Sequence, residues 1–243
     1  MIPHSCVRIA TYNLLAGAKG LALEDGITAT KATLFKNWYH DYYLDFVHHH
    51  HRNEEDIYFP WLNGVLQAKK DTDGEGQLPK KLGAAHVELM DMMDRIEAQS
   101  QSLEEFAKSK AEKAKALHAD LLELVEKFSA LMIAHLDEEE VVIVPLLRKY
   151  ATPKEEEAVV QIILKAMGLG GAKMSIPWIL DAMDQYDPTR DKKFVKSFYA
   201  QLPPPFRLFN SCCWVKSYTK FNKNVIQGLA AGRAIRVPAC CCC

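Results

Sequence analysis

A histidine and a glutamate four residues apart occur twice in this chain, in two stretches that superimpose at a constant offset of 85 residues. His50 matches His135, Glu54 matches Glu139 and Pro60 matches Pro145. A four-residue step places both side chains on one face of a helix, one turn apart. Around them the apolar residues also recur at steps of three and four: Phe35, Tyr39, Tyr42, Phe46, His50, Glu54, Ile57 and Trp61 in one stretch, Leu117, Leu121, Leu124, Phe128, Leu131, His135, Glu139, Val142 and Leu146 in the other. Metal-binding groups interrupting two apolar stripes must be buried, and buried polar groups without partners are costly. The pattern predicts helices that face one another around a shared polar site.

Two further segments fit that frame. Leu82, His86, Leu89, Met93 and Ile96 form a stripe with a histidine inside it, and a less regular one runs through His4, Val7, Thr11, Leu14 and Ala18. Turn signals fall at Asp25-Gly26, at residues 71–76 and near Ser109-Lys110. His4 and His50 lie 22 and 24 residues either side of Gly26, and His86 and His135 lie 24 and 25 either side of Lys110. Equal distances from a turn mean equal height in an antiparallel hairpin. The expected architecture is all-α: an antiparallel up-down four-helix bundle over residues 1–150, followed by an irregular helical region over 151–243 with a cysteine-rich tail.

In that second region Pro153 and Glu155-Glu156-Glu157 predict a helix start, and Gly168, Gly170 and Gly171 predict its end. Short helices are expected near 176–183, 192–201 and 218–230, with Pro203-Pro204-Pro205 as a rigid spacer. Trp38, Trp61, Trp178 and Trp214 are expected in the core, as is the Cys212-Cys213 pair. The Gly168–Gly171 cluster lacks the residues of a phosphate-binding loop.

Bulk properties narrow the function. A net charge of −1 with a pI near 6.8 gives no electrostatic footprint for a nucleic-acid partner. Apolar runs stop well short of the roughly 18 residues a membrane span needs, and the N-terminus lacks the basic start and apolar core of a secretory signal. Residues 1–23, with Arg8 and Lys19 and no acid, weakly resemble an organelle-targeting segment, but a role for His4 argues against its removal. Seven cysteines, isolated or adjacent, do not form a disulfide framework, so a cytoplasmic setting is expected. Cys240 to Cys243, preceded by Arg233 and Arg236, is a candidate lipid-acceptor tail and would attach the chain to a membrane.

Four histidines and two carboxylates at matched heights suit iron, zinc or manganese, and six groups exceed the four ligands of one structural zinc and favour a binuclear centre. The His-x-x-x-Glu order differs from the Glu-x-x-His order of ferritin-like bundles. His48, His49 and His51 are assigned to other faces, because the alignment of Pro60 with Pro145 selects His50. His118 lies about 25 Å along the helix from His135, and His40 about 15 Å from His50, so neither shares the site.

Residues His50 to Pro60, Ala84 to Leu89 and His135 to Pro145, with Pro3-His4, resemble the hemerythrin-like (HHE cation-binding) domain proteins over roughly residues 1–150. The resemblance implies a non-haem binuclear iron centre with Glu54 and Glu139 as bridges and His4, His50, His86 and His135 as terminal ligands. Oxygen carriers of that type have a second histidine one turn on in the third helix; here that position is Met90. The resemblance therefore implies sensing, binding or buffering of iron, oxygen or a related small ligand, with the vacant position taken by water, Asp91 or Glu97. A di-iron enzyme reducing peroxide or nitric oxide, and a zinc-stabilised membrane-tethered interaction module, are the alternatives.

Overall fold

The computed structural model describes residues 2–69, 76–186, 189 and 191–235, and every element among them is helical. Helix α1 spans Ile2–Gly20. Helix α2 runs over residues 29–68, with α-helical Ala29–Trp38, Asp45–Asn53 and Phe59–Ala68 joined by π-helical turns at Tyr39–Leu44 and Glu54–Tyr58. Helix α3 is Lys81–Ala107 and α4 is Ala111–Tyr150. Beyond them come α5 (Pro153–Ala166), α6 (Gly168–Tyr186), α7 (Lys193–Gln201) and α8, a run over residues 204–230 that includes π-helical Asn210–Trp214 and Thr219–Lys223.

The long helices are tied in a ring: α1 packs on α4, α4 on α3, α3 on α2, and α2 on α1. Their apolar stripes meet in one core holding Leu14, Phe35, Tyr39, Phe46, Leu89, Met93, Ile96, Leu121, Phe128 and Met132. The turn between α1 and α2 is closed by Lys31, which is 2% exposed and donates from Nζ to the carbonyls of Leu23 (2.6 Å) and Gly26 (3.0 Å). An ammonium is tolerated inside because it takes up carbonyls that the turn would otherwise strand.

The later helices enter the same core. Trp178, Ile179, Ala182 and Met183 of α6 and Tyr218, Val225, Ile226 and Leu229 of α8 pack with the long helices. Asp181 accepts from Lys223 Nζ (2.6 Å) and Tyr218 Oη (3.0 Å), and Trp38 Nε1 donates to Asn222 Oδ1 (2.9 Å), so α6, α8 and α2 are bound together by polar contacts as well. Helix α5 starts where the acidic run predicts, with a capping box in which Thr152 and Glu155 satisfy each other's backbone N–H groups.

Three expectations about this region need correction. Gly168 takes a positive φ of 62° and breaks the chain there, but Gly170 and Gly171 lie inside α6, which starts well before Ile176. Pro204 and Pro205 occupy the first turn of α8, where a missing N–H costs nothing, so the proline run starts a helix instead of spacing two apart. Cys212 is exposed and Cys213 partly so, because the π-helical turn at Asn210–Trp214 points Asn210 and Trp214 inward instead. Trp38, Trp178 and Trp214 are buried and Trp61 partly buried. Cys240–Cys243, Arg236 and residues 71–75 lie outside the described residues. No single helix among the described residues is long and apolar enough to cross a membrane.

Candidate metal centre

Each long helix delivers a histidine to one level of the core. His4 of α1, His50 of α2, His86 of α3 and His135 of α4 are all buried, as are Glu54 and Glu139. The rings of His4 and His50 meet edge-on at 5.4 Å, and those of His86 and His135 at 4.7 Å. The structure thus brings the six sequence-derived residues together.

The carboxylates divide the imidazoles into two groups. Glu54 Oε1 lies 3.3 Å from His4 Nε2 and 3.4 Å from His50 Nε2, while Glu54 Oε2 lies 3.7 Å from His86 Nε2. Glu139 does the reverse: its Oε2 lies 3.4 Å from His4 Nε2, and its Oε1 lies 3.4 Å from both His86 Nε2 and His135 Nε2. Each carboxylate therefore turns one oxygen to each side. Two ligand atoms each about 2.1 Å from a common ion, at angles of about 90–110°, sit about 3.0–3.4 Å apart. All of the observed separations but the 3.7 Å from Glu54 to His86 fit that arrangement, and they are long for hydrogen bonds.

Polar satisfaction supports the same conclusion. Nε2 of His50, His86 and His135, Oε2 of Glu54 and both oxygens of Glu139 are buried without a hydrogen-bond partner. At about 1–3 kcal/mol for each stranded group, the cluster would forfeit a large share of the roughly 5–15 kcal/mol by which a domain is stable. Cations placed between these atoms would remove the penalty. Imidazoles and carboxylates without thiolate form a donor set that fits iron, zinc or manganese.

Electrostatics prepare the donors. Burial holds His50 well below the usual imidazole range, aided by His51, His4, His86 and His135, and burial likewise lowers His135. Both are thus neutral, the form that offers a lone pair. Burial and the like charge of Glu139 push Glu54 up to about 7, against the hydrogen bond from His4. Burial also pulls His4 down, but contacts with Glu140 and Glu54 and the charge of Glu139 outweigh it; the same balance, through Glu139, Glu54 and Glu55, leaves His86 raised.

Outer partners fix ring orientation. Nδ1 of His86 lies 2.7 Å from Glu55 Oε1, and Nδ1 of His4 lies 3.2 Å from Glu140 Oε1. Glu140 is itself held by Arg8 Nη1 at 3.0 Å. Such second partners orient a ligating imidazole and raise its basicity.

One residue assigned elsewhere belongs in the cluster. His51 is 4% exposed, its ring stacks on His86 at 4.2 Å and stands edge-on to His135 at 5.8 Å. One ligand atom each from His51, His86 and His135 falls within 4.8 Å of the others. The alignment of prolines suggested that a single histidine of the run faces inward, but an apolar face at least 100° wide admits neighbours i and i+1 together. The signal was present in the sequence: His51 and Glu55 repeat the four-residue spacing, and Glu55 holds His86. Asp91 and Glu97 do not reach the cluster; Asp91 faces Arg95 at the surface and Glu97 pairs with His40. His118 bonds the Ala18 carbonyl at 2.8 Å, away from the site.

The local fold of α2 makes this convergence available. Pro60 has no N–H, and its ring crowds the carbonyl four residues back. The preceding turn widens: Phe59 N–H reaches Glu54 O, and Glu54 N–H is shared between the carbonyls of His50 and His51. Such π-helical turns recur at functional sites. Pro145 causes no counterpart, since α4 stays α-helical from Ala111 to Tyr150. The repeated motif is therefore repeated in its ligands and not in its backbone.

Comparison with curated proteins finds no match, and neither does comparison with solved structures. The family model described as hemerythrin HHE cation binding domain matches residues 21–147. That span holds Glu54 and Glu139 and every clustered histidine except His4, and it covers more than half of the chain. With a helical fold and a buried cluster of imidazoles and carboxylates already in place, this chain belongs to the hemerythrin HHE cation-binding domain family.

Proposed function

We propose that the chain holds a binuclear non-haem iron centre in an antiparallel up-down four-helix bundle, and that it binds, buffers or senses iron, oxygen or a related small ligand. The observation that supports this reading is the division of the two carboxylates, each with one oxygen toward His4 or His50 and one toward His86 or His135. One ion would then take His4 and His50, the other His51, His86 and His135, with Glu54 and Glu139 shared. Every proposed ligand lies within residues 1–150, and the described residues beyond 150 form an extension packed on them. Bound iron would supply redox chemistry and a coordination position for a small ligand. Burial holds His50 and His135 neutral, Glu140 and Glu55 orient His4 and His86, and the helices bury all four from bulk water.

His51 changes the expectation drawn from Met90. Two histidines on one side and three on the other restore five imidazoles, which makes the lower-count side, at His4 and His50, the natural place for a ligand. Metal analysis of the purified full chain tests the proposal. Two irons per chain are expected, with loss of metal in Glu54→Ala and His135→Ala and a drop toward one ion in His51→Ala. One zinc per chain, or iron content indifferent to all three substitutions, would overturn it. Rapid turnover of peroxide or nitric oxide by catalytic amounts of protein would replace the binding role with an enzymatic one.

A further inference from the structure

Helices α5, α6 and α7 lie against α2 around a partly open chamber of about 200 Å³. His50 and Glu54 form one edge of it, and the walls are apolar, with Phe46 of α2, Ile163 of α5, Ile179 of α6 and Phe198 of α7. Apart from Pro3 and the α2 face, the lining comes from residues beyond the matched span of 21–147. The extension thus supplies about half of the walls of a chamber that reaches the cluster at His50 and Glu54.

Size and charge define the occupant. A dry apolar cavity of about 150 Å³ holds benzene, so this chamber fits one ring with one or two substituents and is too small for a peptide. No lysine or arginine lines it among the described residues. Without a metal ion at the His50 edge, an anion would be buried with no counter-charge, at a cost of several kcal/mol. Its acids are already engaged: Glu156 accepts from Tyr58 Oη at 3.3 Å, and the Glu54 oxygens face the clustered histidines. That leaves little to offer a cation.

We propose that this chamber binds a neutral, apolar organic molecule of single-ring size against the His50–Glu54 edge of the cluster. Its position beside a metal ion rests on the proposed function, whereas binding itself needs only the walls. Calorimetric titration of the full chain, freed of metal so that no ion bears on the charged analogues, with toluene, benzoate and benzylamine tests it. Toluene should bind at least tenfold more tightly than either charged analogue. Ile163→Trp and Val160→Phe fill the chamber from successive turns of α5; each, once shown to fold by circular dichroism, should lower toluene affinity tenfold or more with metal content unchanged. Absence of toluene binding in the parent, a preference for either charged analogue, or full toluene affinity in a folded filled variant would overturn the proposal. Toluene binding that filling abolishes, in a chain that takes up no metal, would sustain the chamber and sink the metal reading.

Discussion

At the scale of single residues, the site is governed by where each second nitrogen goes. His86 presents Nε2 to the carboxylates only because Nδ1 is held by Glu55, 46% exposed at the rim of α2. Replacing that carboxylate by an amide keeps the shape and weakens the charge-assisted contact. Glu55→Gln should lower metal affinity about 10- to 100-fold, the usual scale for losing such a partner, with the unfolding midpoint of the metal-free chain little changed. Competition against a chelator measures this, and an unaltered affinity would show that Glu55 merely happens to lie nearby. His51 makes the related point about reading sequences. Four consecutive histidines offer no local reason to choose two, since propensity is the same for each; the width of the buried face decides, and width is a property of the packed bundle.

Among the elements, α2 and α3 are pinned away from the site by Glu104, which lies 2.8 Å from Lys36 Nζ and accepts from Thr33 Oγ1 at 2.9 Å and Lys108 Nζ at 3.1 Å. The Lys36 hydrogen bond, with those of Lys108 and Thr33, draws the Glu104 carboxyl down to about 2 against partial burial. A depressed carboxylate contributes its full stabilisation above the ordinary carboxylate range and loses it as pH falls through about 2. Partial exposure keeps the contribution to about 0.2–1 kcal/mol. Urea unfolding of Glu104→Gln against the parent should show that deficit at pH 7 and a narrowing gap between pH 5 and pH 2; a gap independent of pH would refute the assignment.

The long helices were legible because their stripes keep a 3.6-residue period through the histidines, and the α5 start was legible because Thr152 and Glu155 form a local capping pair. The π-helical turns were not, since only that at Glu54–Tyr58 has a nearby proline to explain it. Tyr39–Leu44, Asn210–Trp214 and Thr219–Lys223 have no such local cause in the sequence.

For the whole molecule, the decisive contact joins the two ends of the described chain. A Cβ on Gly20 would fall 1.8 Å from the Leu229 carbonyl oxygen, so α1 and α8 touch backbone to backbone at that point. Gly20→Ala should cost about 1–3 kcal/mol by overpacking, lowering the unfolding midpoint by at least ~2 °C for a chain of this size. Amide exchange over residues 224–230 should accelerate with it. An unchanged midpoint and unchanged protection would mean that α8 adds little to the bundle.

That same contact sets an order of assembly. Helix α1, which brings His4, is wedged between α4 and residues 224–230, so it finds part of its seat in a segment that follows it far along the chain. Contacts so distant along the chain are slow to form. During synthesis Glu54, His86 and His135 can gather while α1 still lacks part of its seat. The His4 side of the cluster is then the last to close, and a chain still waiting for residues 224–230 would stand open at that corner.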